Sequence, residues 1–365
     1  MEEEVDPLDF GVTPSLFLEW RSPRFGSSNP TKVESKVWEW LVKSKLSGYG
    51  ATEKMNGPSP FDKGPTWCFD RFGQSCTLLP DGRRLYIGGE HEDYYDPDFF
   101  IYNDVVVEHP NGHLEFFCYP RESFLPTDFH SATLVGSRVV IIGSLGYPEG
   151  RQVGHTQIYL LDTESYQIES IGPEGESPGW IHKHSARLNS DAKAITLTGG
   201  KVYLGDQHSL RENIDDWELD LQSWRWKRLT ERNWPRWEVL RQDRTRNHLW
   251  EMRQALWHQS VNWIDNYKED IETLEAELDY MPDVASVNEL YSFPFEAGEL
   301  VEDEDAHNLY WIYVDGIKVR FVEEDFAIEV TVEGALPDST IELMQQTLLE
   351  RLSALENAPC ELEIY

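Results

Sequence analysis

Apolar and polar residues recur in the middle of this chain with a period of about 55 residues. Each copy begins with a short alternating segment and then reaches an apolar strand that ends in two small residues. The segments are Gln74-Ser75-Cys76-Thr77-Leu78, His130-Ser131-Ala132-Thr133-Leu134 and His184-Ser185-Ala186-Arg187-Leu188, and the strand ends are Gly88-Gly89, Gly143-Ser144 and Gly199-Gly200. Alternation predicts strands, and the recurrence predicts three copies of one β unit.

A second β-rich run and a late aromatic residue complete each copy. The runs are Asp104-Val105-Val106-Val107, Ile158-Tyr159-Leu160-Leu161-Asp162 and Trp217-Glu218-Leu219-Asp220, and the aromatic residues are Phe116, Tyr166 and Trp224. This order, over about residues 67–229, resembles the kelch repeat of β-propellers, with Gly-Ser in place of Gly-Gly in the second copy. The resemblance implies a kelch-like β-propeller. Because known kelch propellers mostly have more than three blades, this one is expected to be incomplete or augmented.

The segments before and after the repeats have a different pattern. Residues 1–66 predict an N-terminal extension with one helix, which Asn29-Pro30 opens, and residues 67–235 hold the propeller blades. Residues 236–290 predict a long helical segment, because apolar residues between 244 and 280 follow three- and four-residue steps. This helix either packs on its own domain, straight or bent into a hairpin, or is an arm for a partner or a second copy.

The last segment, residues 291–365, predicts a small acidic α+β domain. Asp315-Gly316 lies between two alternating runs and predicts a β-hairpin. Ser339 and Glu342 predict the start of a helix, and Glu361–Tyr365 predicts a returning edge strand. The fold class is therefore mainly β, with a kelch-like propeller, flanking helices and a C-terminal α+β domain.

Charge narrows the choice of partner. The formal net charge is −34, and residues 265–365 hold 27 Asp and Glu against 4 Lys and Arg. This excess argues against nucleic acid and an anionic membrane, which attract basic proteins, and favours a basic protein partner. Residues 222–257 are an exception, with 9 basic and 4 acidic residues.

Cysteine usage and the N-terminal sequence predict a cytoplasmic protein. Four cysteines without a CxxC spacing indicate neither a disulfide framework nor a structural zinc site. The acidic start has no apolar run behind it, so no signal peptide is predicted, and no segment has the length of a membrane span.

The richest polar cluster directly follows Gly88-Gly89. In a propeller, the loop after the second strand of a blade and the loop between blades open onto one face, which here would also carry Asp128 and His155. We expect this face to bind a partner through His91, Glu92, Asp93, Tyr94, Tyr95, Asp96, Trp180 and His182. Histidine and carboxylate together can hold a metal ion. Ligands adjacent in sequence rarely converge on one ion, however, so we predict no metal and no cofactor.

Some kelch-like proteins are enzymes, and this sequence lacks their complete catalytic patterns. The plant specifier proteins of that family bind iron through Glu, Asp and His at four-residue steps; Glu92 and Asp96 match, but Phe100 stands in the third position. No set of residues matches the Tyr-Cys crosslink of the kelch-like copper oxidases, and the sequence has no G-x-S-x-G elbow, phosphate loop or dinucleotide fingerprint. His130 and His184 recur at equivalent positions and predict hydrogen-bonding core residues rather than catalysts.

These patterns favour a protein-binding module over an enzyme. The narrower hypothesis is a cytoplasmic inhibitor or immunity protein that occludes a basic toxin or effector by steric and electrostatic complementarity. The alternative is a kelch-like enzyme or ligand-binding protein with a metal or small-molecule site on the loop face. Self-association through the 244–280 helix is a third possibility.

Overall fold

The computed structural model describes residues 5–59, 63–91, 98–205, 210–261, 263–304 and 306–365. The chain divides into two compact units. Within the described residues, the N-terminal unit covers 5–205 and 210–231, and the C-terminal unit covers 232–365.

Most of the N-terminal unit is antiparallel β-structure. Helices α1, α2 and α3 span Pro14–Trp20, Lys36–Ser44 and Gly48–Lys54, and 3-10 turns span Pro7–Phe10 and Pro148–Gly150. The strands are β1 Thr31–Val33, β2 Ser75–Leu78, β3 Arg84–Ile87, β4 Glu90–His91, β5 Phe100–Ile101, β6 Asp104–Glu108, β7 Leu114–Cys118, β8 Ser131–Val135, β9 Arg138–Ile142, β10 Ile158–Asp162, β11 Ile168–Ser170, β12 Trp180–His182, β13 Ser185–Leu188, β14 Ala194–Thr198, β15 Lys201–Tyr203, β16 Arg211–Glu212, β17 Trp217–Asp220 and β18 Arg225–Arg228.

Each predicted repeat forms one antiparallel sheet. The first sheet has the order β1-β7-β6-β3-β2, the second β11-β10-β9-β8 and the third β13-β14-β17-β18. Alternate residues along one strand face opposite sides, so Val139 and Ile141 of β9 pack in the core shared with the first sheet, and Val140 and Ile142 in the core shared with the third. The chain is thus mainly β, as predicted, and a propeller stays a prediction.

The two outer faces of this stack of sheets differ in character. The face of the first sheet away from the second packs against α1 and α2, where Trp38 stacks on Trp67 with ring centres 4.8 Å apart. On the third sheet, the opposite face carries a polar row of paired residues from its four strands. This row is Arg187, Thr196, Glu218 and Lys227. An apolar helical layer therefore covers one end, while polar side chains cover the other.

The repeated histidines and glycines connect neighbouring sheets. His130 Nε2 lies 2.7 Å from Ser75 Oγ, and His184 Nε2 lies 2.9 Å from Ser131 Oγ, which confirms the predicted core role of both histidines. Gly88 has a φ of 57°, and a Cβ there would lie 2.2 Å from the Thr127 carbonyl oxygen. Only glycine fits this approach, which explains the first Gly-Gly pair.

The N-terminal extension differs from its prediction. Residues 5–59 hold α1, α2 and α3 rather than one helix, and Asn29-Pro30 opens none of them. Ser35 instead caps α2, its Oγ accepting from the Trp38 N–H at 3.2 Å. The Asn29 side chain donates to the Ile168 carbonyl at 2.7 Å and accepts from the Ile168 N–H at 2.9 Å, so a tertiary contact and not a helix end satisfies it.

The C-terminal unit combines one six-stranded sheet with three α-helices in its described residues. The sheet order is β20-β21-β22-β23-β19-β24. The strands are β19 Arg236–Arg241, β20 Val301–Glu302, β21 Leu309–Val314, β22 Ile317–Glu323, β23 Ala327–Val332 and β24 Cys360–Ile364; the helices are α4 Leu249–Ser260, α5 Ile264–Leu278 and α6 Asp338–Leu355, with a 3-10 turn over Val284–Glu289.

Three expectations for this unit are confirmed and one is corrected. The hairpin at Asp315-Gly316 joins β21 to β22, and β24 returns at the edge of the sheet. The boundary at 290/291 is wrong, because β19 lies between β23 and β24 and shares their core. The helical segment is bent into a hairpin of α4 and α5, one of its predicted forms, and the His258–Asp270 contact at 2.5 Å joins the two helices.

None of the helices in the described part of the chain has the length and apolar character that a membrane crossing requires.

Candidate functional site

The predicted contact residues of the N-terminal unit are buried where the structure describes them. His91 ends β4, with its Nδ1 2.6 Å from the Tyr102 hydroxyl. Trp180 and His182 both belong to β12, and Trp180 Nε1 donates to the Leu145 carbonyl at 3.0 Å. All three are less than a tenth exposed, so they offer little area to a partner. Outside the described residues lie Glu92, Asp93, Tyr94, Tyr95 and Asp96.

A buried ion pair fixes the surroundings of His91. Arg71 makes two hydrogen bonds to Asp104, at 2.5 and 3.0 Å, and its guanidinium carbon lies 3.3 Å from the centre of the Tyr102 ring. Trp67 Nε1 also donates to Asp104, at 2.8 Å. Burial lowers the pKa of His91 to about 3, and the positive charge of Arg71 adds to that shift. His91 is therefore a neutral part of the core at pH 7.

Asp128 is another buried acidic group of this region. Its Oδ1 accepts from the Gly146 N–H at 2.6 Å and from the Ser144 hydroxyl at 3.1 Å, and the Glu90 side chain also hydrogen-bonds to it. Burial raises the pKa of the Asp128 carboxyl. Ser144 stands where the other two copies have their second glycine, and its hydroxyl gives the buried Asp128 carboxyl group a hydrogen-bond donor.

A small cleft of about 70 Å³ adjoins these groups, beside Tyr147, Gly146 and Trp180. Among the described residues, no group of three or more His, Cys, Asp or Glu side chains is placed to hold a metal ion. The structure thus brings Glu90, Asp128 and Ser144 together, while exposed His155 stands apart from their hydrogen bonds.

The C-terminal unit has a much larger depression beside α4. Its volume is about 850 Å³, and its lining includes Trp250 and Trp257 of α4, Glu302 of β20, and His307 and Tyr310 at the start of β21. A second depression of about 440 Å³ shares Trp250 and His307 with the first. We call the two together the tryptophan groove.

Tryptophan side chains near the groove are unusually exposed. Trp250 and Trp257 are each 50% exposed, and Trp263, just before α5, is 56% exposed. Trp257 meets Trp263 edge to face, with ring centres 5.8 Å apart. Neither indole N–H of the α4 pair has an acceptor in the described part of the chain. Exposed tryptophan of this kind marks binding surfaces, where burial of the ring on complex formation is strongly favourable.

The floor of the groove is a rigid, neutralised network. Arg253 binds Glu323 through two hydrogen bonds of 2.6 and 2.5 Å, and the Tyr291 hydroxyl donates to Glu323 at 2.7 Å. The Arg253 guanidinium also lies 4.4 Å from the Tyr310 ring centre. Burial opposes the charge of Arg253, but the bonds to Glu323 outweigh it and raise the Arg253 pKa above its usual value. The charges of Arg253 and Glu323 therefore neutralise each other beside the groove.

The electrostatic setting of the groove is acidic. Residues 232–365 hold 30 Asp and Glu against 10 Lys and Arg, a net charge of −20. Exposed carboxylates lie along α5 at Asp265, Glu269, Glu272 and Glu275. Their field attracts a basic partner from a distance and accelerates its capture.

Sequence reasoning missed the groove for a definite reason. The apolar periodicity followed Leu249, Met252 and Leu256, which face the core or its border. Trp250 and Trp257 lie seven residues apart, so they share a helix face that is offset from that seam. Two large aromatics off the core face of an amphipathic helix were the available signal.

Comparisons with known proteins add little to what the geometry of the site shows. No protein-family model matches the chain, and no curated protein matches it. Among solved structures, one titled "Structure of YjhT" matches with 13% sequence identity and a TM-score of 0.34. The match covers 45% of this chain and about half (53%) of that one. A TM-score of that size does not establish a shared fold.

Proposed function

We propose that this protein is a binding module that captures a basic protein through its acidic C-terminal unit. The observation that carries the proposal is the group of half-exposed tryptophans, Trp250, Trp257 and Trp263, in a unit with a net charge of −20. Exposed aromatic area supplies affinity. The negative charge around it speeds the association of a basic partner and selects against acidic proteins.

The narrower form of the proposal is a cytoplasmic inhibitor or immunity protein against a basic toxin or effector. Covering the partner's surface would block its action by steric occlusion, with no chemistry by this chain. The absence of catalytic motifs from the sequence and the acid excess support this form. The kelch-like propeller, incomplete or augmented, would serve as the scaffold of the N-terminal unit.

Capture of a partner from host lysate tests the proposal. We expect the immobilised full chain to retain one basic protein in stoichiometric amount at low salt, and a salt step to release it, since screening weakens exposed charge pairs. An unrelated protein of similar net charge, immobilised in the same way, is the control for simple ion exchange.

The purified pair then gives a quantitative result. Between about 50 and 500 mM NaCl the association rate is expected to fall at least tenfold, while the dissociation rate changes less. Surface plasmon resonance at several salt concentrations measures both rates. An affinity that is flat across this range, or a lysate that yields no stoichiometric partner, would contradict the proposal.

A further inference from the structure

The tryptophan groove changes in character along its length. Its larger part is lined mainly by aromatic rings and amides, among them Trp250, Trp257 and Gln254, and its charged members are Arg253 and Glu302. Its smaller part is lined by the acidic run Glu323, Glu324 and Asp325. Trp250 and His307 border both parts, so one ligand can occupy the two together.

A cation already occupies the acidic part of the groove. Arg246 lies 3.3 Å from Asp325 and 3.0 Å from Glu251, and its side chain is 47% exposed. Exposed pairs of this kind are weak, so another cation can replace them with little loss. The chain's own guanidinium thus marks where the cation of a ligand would bind.

The aromatic part of the groove suits an apolar side chain. Trp250 and Trp257 are separated by two helical turns, roughly 10 Å along α4. Both side chains line the larger part of the groove together with Arg253, whose charge Glu323 neutralises. An apolar side chain inserted there buries both rings, and the free indole N–H groups can donate to carbonyl oxygens of a peptide backbone.

We propose that the groove binds an extended basic segment of the partner, and this inference rests on the proposed protein-binding function. An apolar side chain of the segment enters between Trp250 and Trp257. A lysine or arginine side chain near it binds Glu324 and Asp325 and displaces Arg246. Extended peptides present alternate side chains to one surface, about 7 Å apart, which matches a groove with two adjoining parts of different chemistry.

A peptide of alternating leucine and lysine, about eight residues long and fluorescein-labelled, tests the inference by fluorescence anisotropy. Trp250→Ala and Trp257→Ala are each expected to weaken its binding about tenfold or more, as loss of an anchor does. Glu324→Gln/Asp325→Asn is expected to weaken it severalfold. Arg246→Ala is expected to strengthen it, because the competing cation is gone.

Matched variants outside the groove serve as controls. Tyr313→Ala removes a ring of β21 that is 49% exposed and lines neither part of the groove, and Glu296→Gln/Glu299→Gln removes two exposed carboxylates, the same charge as the acidic groove pair. Both are expected to stay within about twofold of wild type. Equal losses from groove and control variants would show diffuse charge attraction and overturn the inference. So would unchanged affinity in the groove variants, or no binding of the peptide by wild type up to about 1 mM.

Failure of the groove and failure of the binding function are distinguishable. A captured basic protein that binds wild type and Trp250→Ala/Trp257→Ala equally well overturns the groove and leaves the binding function intact. Circular dichroism of each variant checks that the fold is unchanged, and the charge variants give a second test that does not remove a large side chain.

Discussion

Acidification from pH 7 to about 4.5 is expected to unfold the N-terminal unit. Four of its histidines are buried, and burial is the largest cause of the lowered pKa of each: about 3 for His91, His130 and His182, and about 4 for His184. In the unfolded chain a histidine has a pKa near 6.5. Between these values the unfolded state binds more protons than the folded state does.

The sign and size of the effect follow from this difference. The four histidines leave stability intact above about pH 6.5 and reduce it as the pH falls through the window down to about 3 to 4. Each contributes up to about 1.4 kcal/mol per pH unit, so together they remove at most roughly 5 kcal/mol per unit. The free energy of unfolding of a domain is about 5–15 kcal/mol, so a fall of one to three pH units below about 6.5 is enough to unfold it.

Urea unfolding of the full chain between about pH 4.5 and 8, followed by circular dichroism and hydrogen exchange, measures this loss. His130→Gln/His184→Gln is expected to reduce the pH slope of the N-terminal unit by about half, because it removes two of the four groups. His113→Gln/His155→Gln changes two exposed histidines of the same unit and is the matched control. A slope that is equal in all three proteins would contradict the prediction.

One site of the C-terminal unit, His248, is expected to have the opposite effect on the pH dependence of stability: its contribution is larger at low pH than at high pH. The hydrogen bond to Glu356 is the main cause of the raised pKa of His248, with its Nδ1 2.8 Å from the carboxylate. This contribution is complete below the unfolded pKa of about 6.5 and is lost as the pH rises through the folded pKa. Hydrogen exchange therefore separates the two units in the same titration.

Replacement of Arg71 by methionine is expected to destabilise the N-terminal unit by about 3–5 kcal/mol. The Arg71 side chain is fully buried and that of Asp104 is 5% exposed, so the variant leaves a carboxylate inside the protein with only the Trp67 N–H as a remaining donor from this network. An unpaired buried charge is among the largest penalties that a single substitution produces. Urea unfolding at pH 7 measures the change.

A double variant and an exposed pair complete this experiment. Arg71→Met/Asp104→Asn is expected to recover part of the lost stability, because the orphaned charge is removed. Arg225→Met breaks the Arg225–Glu174 pair, whose side chains are 58% and 67% exposed, and is expected to change stability far less. A loss for Arg71→Met as small as that for Arg225→Met would mean that the buried pair contributes little to folding.

Much of the β-structure followed from the sequence alone. Period-two alternation and the repeated Gly-Gly ends placed three sheets in order, because strand faces and close backbone approaches leave direct marks on residue type. The recurrent His130 and His184 were interpreted correctly for the same reason. The Asp315-Gly316 hairpin and the edge strand β24 were equally local, since turn chemistry and alternation specify both.

Only the tertiary structure decided the rest. It placed β19 between β23 and β24, where Leu240 pairs with Ala327, 87 positions away, and Arg241 pairs with Cys360, 119 positions away. No local pattern contains such pairings. It buried His91, Trp180 and His182, whose polar or aromatic character had predicted exposure. It also turned Trp250 and Trp257 outward beside a rigid Arg253–Glu323 floor. Residue type sets what a side chain can do, but burial and neighbours, which depend on contacts distant in sequence, decide which of those roles it has.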